Sequence, residues 1–279
     1  MKQYYMVYVT ANDTALFKDY INLYLSRKFH PGVTPVQLCI VVGGAKKFTR
    51  FHRWMLRRII SMVESGRHLQ CKQVILKNNA GWDFGSTAQG LRELSKEAQP
   101  EDYILVRNRS TWGPHANGWY KKYADLLASS DELGLVGSTL GLKDHPTRRR
   151  TYDTAHVQSY VYASQWKFLS DLLPAFPGQE AANHLDAVLH GEIELSQEIM
   201  KRGWNLAALN YDGLQITYNN QNDFTPSHLK QYSPAGDIPI SKDNQERNRK
   251  YYLKILLILT TIIWYSLPHR SSCKWILQV

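Results

Sequence analysis

Cysteine is scarce in this sequence. Only Cys39, Cys71 and Cys273 are present, an odd number at wide spacings, which excludes the disulfide framework of a small secreted domain. Cys39 lies in an apolar, strand-like segment, which favours a buried cysteine that acts as a small hydrophobic side chain. The N-terminus also lacks the pattern of a signal peptide, so we expect the protein in the reducing cytoplasm.

Several catalytic and nucleic-acid-binding motifs are absent as well. The sequence has no Walker A loop, no HExxH zinc motif and no G-x-S-x-G elbow, which excludes the common ATPases, metalloproteases and esterases. It has no zinc-finger spacing, basic zipper or RNA-binding consensus, so we expect no nucleic acid among its partners. Residues 10–13 lack the glycine-rich loop of a nucleotidyltransferase, which makes that class a weaker alternative.

Acidic residues are outnumbered by basic ones. With 34 Lys and Arg against 24 Asp and Glu, the formal net charge is +10. Such a surface attracts anions, for example nucleotide diphosphates and anionic lipid headgroups, although a basic protein without such a partner stays open as the alternative. Aromatic residues make up 12% of the chain. This content fits stacking on bases and sugars, and it equally fits an aromatic core.

Alternating strand and helix patterns predict the fold class. Strands are predicted over residues 4–10, 36–42, 73–77, 103–107, 134–138 and 157–163. Helices are predicted over residues 13–29, 48–64, 86–97, 117–129, 165–173 and 192–202, with Asp13 capping the first. This order predicts an α/β domain with a mostly parallel sheet, helices on both faces, and a ligand site at the carboxyl ends of the strands.

The C-terminal segment differs in composition. Residues 219–245 are rich in Asn, Gln, Asp, Pro and Ser, which predicts an irregular segment. Residues 255–267 carry no charge and follow several basic residues, but a helix of this length rises only about 20 Å, short of a bilayer core of roughly 30 Å. An interfacial helix on anionic lipid is predicted, with a helix buried against the domain as the alternative. We therefore divide the chain into a domain over residues 1–218 and this segment over residues 219–279.

Five short motifs follow one another in the α/β domain. They combine glycine and asparagine turns with acidic and hydroxyl side chains near the predicted strand ends. They are Asn79/Gly81/Asp83/Phe84/Gly85, Tyr103/Asn108/Arg109/Ser110/Gly113/Pro114, Leu135-Val136-Gly137-Ser138, His156-Val157-Gln158-Ser159 and Glu192-Ile193-Glu194-Leu195-Ser196. Their order resembles that of the GT-A glycosyltransferases, particularly the inverting family 2 and a group of polysaccharide glycosyltransferases related to rhamnan-synthesis proteins.

The resemblance implies a single-domain, GT-A-like (Rossmann-like) fold and a glycosyltransferase activity. The implied reaction moves a sugar from a UDP- or dTDP-type donor to a growing cell-surface polysaccharide, such as capsule or lipopolysaccharide, or to a lipid-linked glycan, with inversion. The implied partners are the nucleotide-sugar donor, the glycan acceptor and the membrane surface, which suggests a peripheral position on the inner face of the cell membrane. A retaining transferase and a catalytically inactive module that binds the donor or the membrane are the alternatives.

The resemblance also places donor-binding residues on the loops that follow the strands. These are Thr10, Asn79, Gly81, Asp83, Asn108, Arg109, Ser110 and His156. Asp83 is expected to accept a hydrogen bond from the base or the ribose, or else to cap the helix that starts near Gly85. His156 is expected to contact donor phosphate or the acceptor, or else to be a structural histidine. Trp82, Trp112 and Trp119 flank the site and either pack in the core or stack on base or sugar.

Arg109 departs from the family pattern, which has an aspartate between Asn108 and Ser110. In the relatives that aspartate helps to hold Mn²⁺ or Mg²⁺ on the diphosphate, whereas a guanidinium repels a divalent cation and pairs with phosphate. We therefore assign no metal ligand, regard a Mn²⁺ or Mg²⁺ cofactor as disfavoured, and expect Arg109 itself to neutralise the diphosphate. In the alternative, the substitution marks the inactive relative.

Glu192 and Glu194 are the candidates for the base that takes the proton of the acceptor hydroxyl. They resemble the carboxylate at the start of a late helix in family 2, and Glu192 is slightly favoured. In the alternative, either carboxylate only offsets the helix dipole in the first turn.

Overall fold

Nine strands form one sheet in the computed structural model. The structure describes residues 2–12, 16–44, 48–78, 80–142, 155–224, 232, 240 and 273–277. The strands are β1 (Tyr4–Ala11), β2 (Val36–Gly43), β3 (Leu69–Leu76), β4 (Tyr103–Asn108), β5 (Leu133–Gly137), β6 (Leu140–Gly141), β7 (His156–Val157), β8 (Val161–Gln165), β9 (Asn205–Ala208), β10 (Tyr211–Ile216) and β11 (Lys274–Leu277). Of these, β6 and β7 form a separate antiparallel pair.

The order of the strands in the sheet is β10-β9-β5-β8-β4-β1-β2-β3-β11. β1 pairs in parallel with β2 and β4, and β3 pairs in parallel with β2 and β11. β8 runs antiparallel to β4 and β5, and β10 runs antiparallel to β9. The carboxyl ends of β1 to β4 therefore meet at one edge, where ligand sites of such sheets lie. The predicted mostly parallel α/β sheet is confirmed.

Helices cover both faces of this sheet, as predicted. The helices are α1 (Phe17–Lys28), α2 (Arg50–Glu64), α3 (Trp82–Leu94), α4 (Lys121–Ala128), α5 (Trp166–Ser170), α6 (His184–Asp186) and α7 (Glu194–Lys201), with a 3₁₀ turn at Leu173–Ala175. The apolar sides of α1, α2 and α4 pack on one face, and those of α3, α5 and α7 pack on the other. Strand side chains alternate between the two cores, so that Met6 and Tyr8 join the first while Val7 and Val9 join the second.

Several helices begin at residues other than those predicted, and backbone geometry shows how α1 and α3 begin. α1 begins at Phe17, after Leu16 in a left-handed conformation with φ of 61°. Asp13, the predicted cap, lies outside the described residues. α3 begins at Trp82, earlier than predicted, because Gly81 adopts φ of 72° and turns the chain from the loop after β3 directly into the helix.

The helix predicted over residues 192–202 also begins earlier. The Asn183 side chain accepts a hydrogen bond from the backbone amide of Asp186 and caps α6. The helix then continues through a π-helical segment, Ala187–Ile193, into α7. Such π-turns are frequent at functional sites. Glu192 therefore lies inside a helix and not in its first turn, so the helix dipole does not account for this carboxylate.

The C-terminal segment returns to the domain. β11, which the sequence does not predict, pairs with β3 and completes one edge of the sheet. Further along the sheet, the Ser138 hydroxyl donates to the carbonyl of Ile240. The three cysteines are free and buried, and Cys39 is buried as predicted. Residues 255–267, the predicted interfacial helix, lie outside the described residues, and no helix within the described ranges is long and apolar enough to cross a membrane.

Candidate active site

A cavity of about 550 Å³ opens at the carboxyl ends of β1 and β4. Its walls come from the end of β1, the start of α3, the end of β4, the loop before β8, and α6 with the π-helical segment. The predicted site residues that line it are Thr10, Asp83, Asn108, Arg109, Ser110 and Glu192. The structure thus brings together six side chains that the sequence spreads over nearly two hundred positions.

Arg109 lies on the floor of this cavity. Its backbone amide donates to the carbonyl of Val9 at 2.9 Å, and its Nη1 donates to the carbonyl of Ala11 at 2.9 Å. Its side chain is only 15% exposed. Burial lowers the pKa of the guanidinium, but an arginine stays protonated at neutral pH. The cavity is therefore lined by a residue whose guanidinium is held in place and charged.

Asp19 is a counter-charge of Arg109 and was not among the site residues predicted from the sequence. Its Oδ2 lies 3.7 Å from Arg109 Nη2, and its Oδ1 accepts a hydrogen bond from the Tyr8 hydroxyl at 2.9 Å. Burial raises the pKa of this carboxyl to about 6. Its spacing in the sequence could have singled it out, because Asp19 falls on the same helical face as Leu16 and Leu23, where a polar residue is unexpected.

Asn108 connects the end of β4 to the start of α3. Its side-chain amide donates to Asp83 Oδ2 at 3.1 Å. Its Oδ1 accepts hydrogen bonds from the backbone amide of Ser110, at 3.0 Å, and from the Ser110 hydroxyl. The triplet of residues 108–110 is thereby folded into a turn, which holds Arg109 against the end of β1. The adjacent Thr10 hydroxyl lies 3.4 Å from the carbonyl of Ala11.

Asp83 lies in the first turn of α3, facing the cavity. Burial raises the pKa of its carboxyl, hydrogen bonds from Asn108 and from backbone amides of the turn lower it, and the nearby charge of Glu192 raises it further, with a net increase. The N-cap position itself belongs to Gly81. Asp83 therefore contacts the first turn of the helix and the cavity at once, so its two predicted roles are compatible.

Gly81 shapes the turn and does not line the cavity. A Cβ atom on this residue would lie 1.8 Å from the carbonyl oxygen of Gln179, and its φ of 72° already disfavours other residues. The glycine is thus required by the backbone. Asn79, predicted with it, lies outside the described residues.

Glu192 faces the cavity from the π-helical segment. Its Oε2 accepts hydrogen bonds from the backbone amide of Ser159, at 2.7 Å, and from the Ser159 hydroxyl, at 2.6 Å. Its Oε1 lies 3.5 Å from Nε2 of His156. Burial alone would raise its pKa, but the hydrogen bonds from His156 and Ser159 outweigh burial and lower the pKa to about 2. Glu192 is therefore a firmly ionised carboxylate.

His156 is buried behind Glu192 and does not itself line the cavity. Its ring lies against Gly141, where a Cβ atom would come within 2.5 Å of the imidazole. The structure therefore places His156 as a partner of Glu192.

Glu194 belongs to a different part of the surface. It lines a second cavity of about 780 Å³, together with Asp171, Phe176, Glu198 and Arg202. Two positions along a helix are about 200° apart, so the two glutamates point in opposite directions. The structure thus groups only Glu192 with the predicted donor-binding residues.

The three tryptophans have different environments. Trp119 is fully buried in the core, and Trp112 is partly buried with the Lys18 ammonium 4.7 Å above its ring. Trp82 stands at the rim of the cavity with 41% of its surface exposed, edge-on to His184 at 6.2 Å between ring centres. Its φ of 49° is a strained, left-handed conformation.

The global fold is similar to that of proteins of known structure. No protein-family model matches the sequence, and no curated protein matches it. The galactosyltransferase LgtC, solved in complex with donor and acceptor sugar analogs, superposes with a TM-score of 0.52 at 10% identity, over 95% of this chain and 98% of that chain. The chain has a GT-A-like fold. The fold predicted from the order of the motifs is thereby confirmed.

Two further glycosyltransferase structures superpose on this GT-A-like chain. Mouse xyloside xylosyltransferase 1, in its apo form, gives a TM-score of 0.48 at 10% identity over 88% of this chain and 99% of that chain. The mannosyltransferase PcManGT from Pyrobaculum calidifontis, in complex with GDP-Man and Mn²⁺, gives 0.48 at 15% identity. In that alignment 75% of this chain spans only 55% of the mannosyltransferase.

The divalent ion that the resemblance implies does not fit the side chains of this GT-A-like site. Within the described ranges, no group of three or more His, Cys, Asp or Glu side chains could hold a metal ion. Arg109 occupies the place of the expected aspartate, and Ser159 and His156 contact the two oxygens of Glu192. A fixed guanidinium suits an anion far better than a second cation.

Proposed function

We propose that this protein is a glycosyltransferase that takes a sugar from a nucleotide-diphosphate donor. The observation that carries the proposal is the guanidinium of Arg109 on the floor of a cavity at the carboxyl ends of β1 and β4. Asn108, Ser110 and Asp83 line the same cavity, and the Asn108 side-chain amide donates to Asp83. A cationic group among hydrogen-bonding side chains suits a diphosphate that carries a base and a sugar.

Arg109 is proposed to stabilise the leaving diphosphate. During transfer, the acceptor oxygen bonds to the anomeric carbon while the bond between that carbon and the phosphate oxygen breaks. Negative charge then grows on the diphosphate, next to a guanidinium that the carbonyl of Ala11 and the carboxyl of Asp19 already orient. Because the cation is fixed before the reaction, no reorganisation is needed when the charge develops.

Asp83 is proposed as the base and Glu192 as the permanent anion. A catalytic base works best when its pKa lies near the working pH. Burial raises the pKa of Asp83, whereas hydrogen bonds hold that of Glu192 at about 2. When two carboxyl groups of one site have pKa values that differ widely, the group with the higher pKa can exchange a proton while the other stays ionised. Asp83 then takes the acceptor proton, and Glu192 stabilises the positive charge on the sugar.

The finer details of the reaction are proposed from the family resemblance. The donor is of the UDP or dTDP type, the acceptor is a growing polysaccharide or a lipid-linked glycan, and the transfer inverts the anomeric centre. LgtC, which shares the fold, was solved with analogs of both a donor and an acceptor sugar. A lipid-linked acceptor also places the protein at the cytoplasmic face of a membrane.

A thermal-shift panel of UDP-, dTDP- and GDP-sugars in EDTA tests the donor. A donor at about 100 times its Kd stabilises the folded state by about 2.7 kcal/mol, which raises the Tm of a chain of this size by roughly 5–10 °C. One nucleotide class is expected to give this shift. If no donor shifts the Tm, with or without Mn²⁺, donor binding is ruled out.

A donor-binding module without catalysis is the second candidate. The hydrogen-bonded, low-pKa carboxylate of Glu192 favours it, because the base predicted from the sequence is then unsuited to accept a proton. Release of nucleoside diphosphate from the bound donor separates the two candidates. The enzyme hydrolyses the donor slowly even without an acceptor, whereas the module leaves it intact.

Trp82 provides a further test of the cavity. Trp82→Gly relieves the left-handed backbone, so the Tm should stay the same or rise. The lost stacking surface should weaken donor affinity about 3- to 10-fold, since an aromatic contact contributes about 0.5–1.5 kcal/mol. Titration calorimetry measures the affinity, and Tyr218→Ala, an exposed aromatic away from the cavity, is the control. Unchanged affinity in Trp82→Gly would exclude stacking.

A further inference from the structure

One face of α2 combines an exposed phenylalanine and a partly buried tryptophan with exposed cationic side chains. This face, the α2 surface, consists of Arg50, Phe51, Arg53, Trp54 and Arg57. Phe51 is 45% exposed, which makes it one of the most exposed large apolar side chains of the described residues. It stacks on Trp54 at 5.5 Å between ring centres and lies 6.4 Å from Phe17 of α1. The three rings form a contiguous, partly exposed aromatic cluster, and such a cluster marks an interaction site more strongly than scattered apolar residues do.

The charge on the α2 surface is of one sign. Arg50, Arg53 and Arg57 are exposed, and among the described residues no carboxylate forms an ion pair with any of them. Glu64, the last residue of α2, is its sole acidic residue. Other exposed basic side chains do have acidic neighbours, as in the pairs Lys121–Asp125 and Lys201–Glu198. The α2 surface is therefore complementary to an anionic partner.

The opposite side of α2 already has its partners. Met55, Leu56, Ile59, Ile60 and Val63 are buried in the core against the sheet and α1. The exposed part of Phe51 is thus additional to the packing that the fold requires, whereas Trp54 also packs against the core. Phe51 in particular gains little from its present environment, because nearly half of it stays in water.

The position of the α2 surface relates it to the cavity. α2 follows β2, so its first turns lie at the edge where the carboxyl ends of the parallel strands meet. The cavity opens at this same edge. Phe17 starts α1, which follows β1, so it lies at this edge too. A flat anionic surface that contacts Arg50 and Phe51 would face the edge that holds the cavity.

We propose that the α2 surface binds an anionic lipid bilayer. Lys and Arg near such a surface each contribute about 1 kcal/mol of attraction, and aromatic rings prefer the depth of the headgroups. The combination of three exposed arginines with Phe51 and Trp54 matches both requirements. The benefit of facing a lipid-linked acceptor rests on the proposed function, but the binding of lipid does not.

Vesicle co-sedimentation tests the α2 surface in the full chain. The wild type should bind vesicles of phosphatidylcholine with one quarter phosphatidylglycerol, and it should not bind pure phosphatidylcholine. Replacing the three arginines by glutamine (R50Q/R53Q/R57Q) should weaken binding by roughly 100-fold. Phe51→Ser should weaken it several-fold while the charge stays unchanged. The matched control removes three basic charges from other helices (K121Q/K167Q/K201Q) and should retain most of the binding.

Each other outcome overturns the proposal. Equal vesicle binding by the arginine variant and the wild type would exclude the α2 surface as the lipid-binding site. Equal losses of binding in the arginine variant and in the control would show that only the net charge of the protein matters. If the protein does not bind vesicles, but the three arginines determine its oligomeric state or its binding of RNA, the partner of the α2 surface is a second copy of the chain or RNA and not a lipid bilayer. Thermal unfolding verifies that each variant folds. In the absence of vesicles, the arginine variant should hydrolyse the donor at the same rate as the wild type. The test of lipid binding is therefore independent of the test of the proposed transferase activity.

Discussion

Replacing Arg109 by alanine is expected to lower the rate of donor hydrolysis by roughly 100- to 1,000-fold. This is the usual loss when one fixed group that stabilises developing negative charge is removed from an active site. The guanidinium is held by the carbonyl of Ala11 and faces Asp19, and among the described residues that line the cavity no other Arg or Lys supplies the missing charge. Release of nucleoside diphosphate, followed by chromatography, measures the rate.

The conservative variant separates charge from folding. Arg109→Lys keeps a positive charge but not the planar fork, so its rate should lie between those of the wild type and Arg109→Ala. Since Arg109→Ala removes one of the cations near the buried Asp19, the double variant Asp19→Asn with Arg109→Ala controls for stability. Wild-type hydrolysis by Arg109→Ala would contradict the role proposed for the guanidinium.

Replacing Glu192 by glutamine is expected to lower the free energy of unfolding by about 3 kcal/mol at pH 7. The pKa of Glu192 falls from 4.5 to about 2 in the folded state, and each unit of this shift corresponds to about 1.4 kcal/mol. The ionised carboxylate accepts two hydrogen bonds from Ser159, and glutamine keeps an acceptor there without the charge. Urea denaturation measures the difference.

The pH dependence of this difference identifies its cause. Since the folded-state pKa of Glu192 is lowered, its stabilisation is present above pH 4.5 and is lost as the pH falls toward 2. The difference in free energy of unfolding between the wild type and Glu192→Gln should therefore decrease by about 1 kcal/mol or more as the pH falls from 7 to 3.5. Glu194→Gln, in the other cavity, is the matched control for the loss of one glutamate. A difference that is the same at both pH values would point to lost packing instead.

The sheet and the composition of the cavity could be predicted from local sequence patterns. β2 is a continuous apolar run, and such runs are typical of strands that are buried on both faces. Once the strands are parallel, their carboxyl ends must meet, so the order of the elements alone is enough to group Asp83, Asn108 and Arg109. Trp82 and Gly81 show the limit of this approach, because the early start of α3 depends on backbone angles that pattern does not reveal.

The features that the sequence did not predict depend on distant contacts. β11 is a strand because β3 offers an open edge more than two hundred residues away along the chain. The separation of Glu192 from Glu194 depends on a helix that starts at His184 and passes through a π-turn. Asp19 pairs with Arg109 only after α1 packs under the end of β4. The pairings of β11 with β3 and of Asp19 with Arg109 are tertiary contacts, and although the spacing of Asp19 marks it as an unexpected polar residue, it does not identify its partner.

Calorimetric titration of the donor found by the thermal-shift panel, in EDTA and again in Mn²⁺, tests the central claim most directly. That claim is that a fixed arginine takes the place of a metal ion in binding the diphosphate. We expect one donor per chain, with the same Kd in both buffers, and a loss of binding in Arg109→Ala. Binding that occurs only in Mn²⁺, or that persists unchanged in Arg109→Ala, would contradict it.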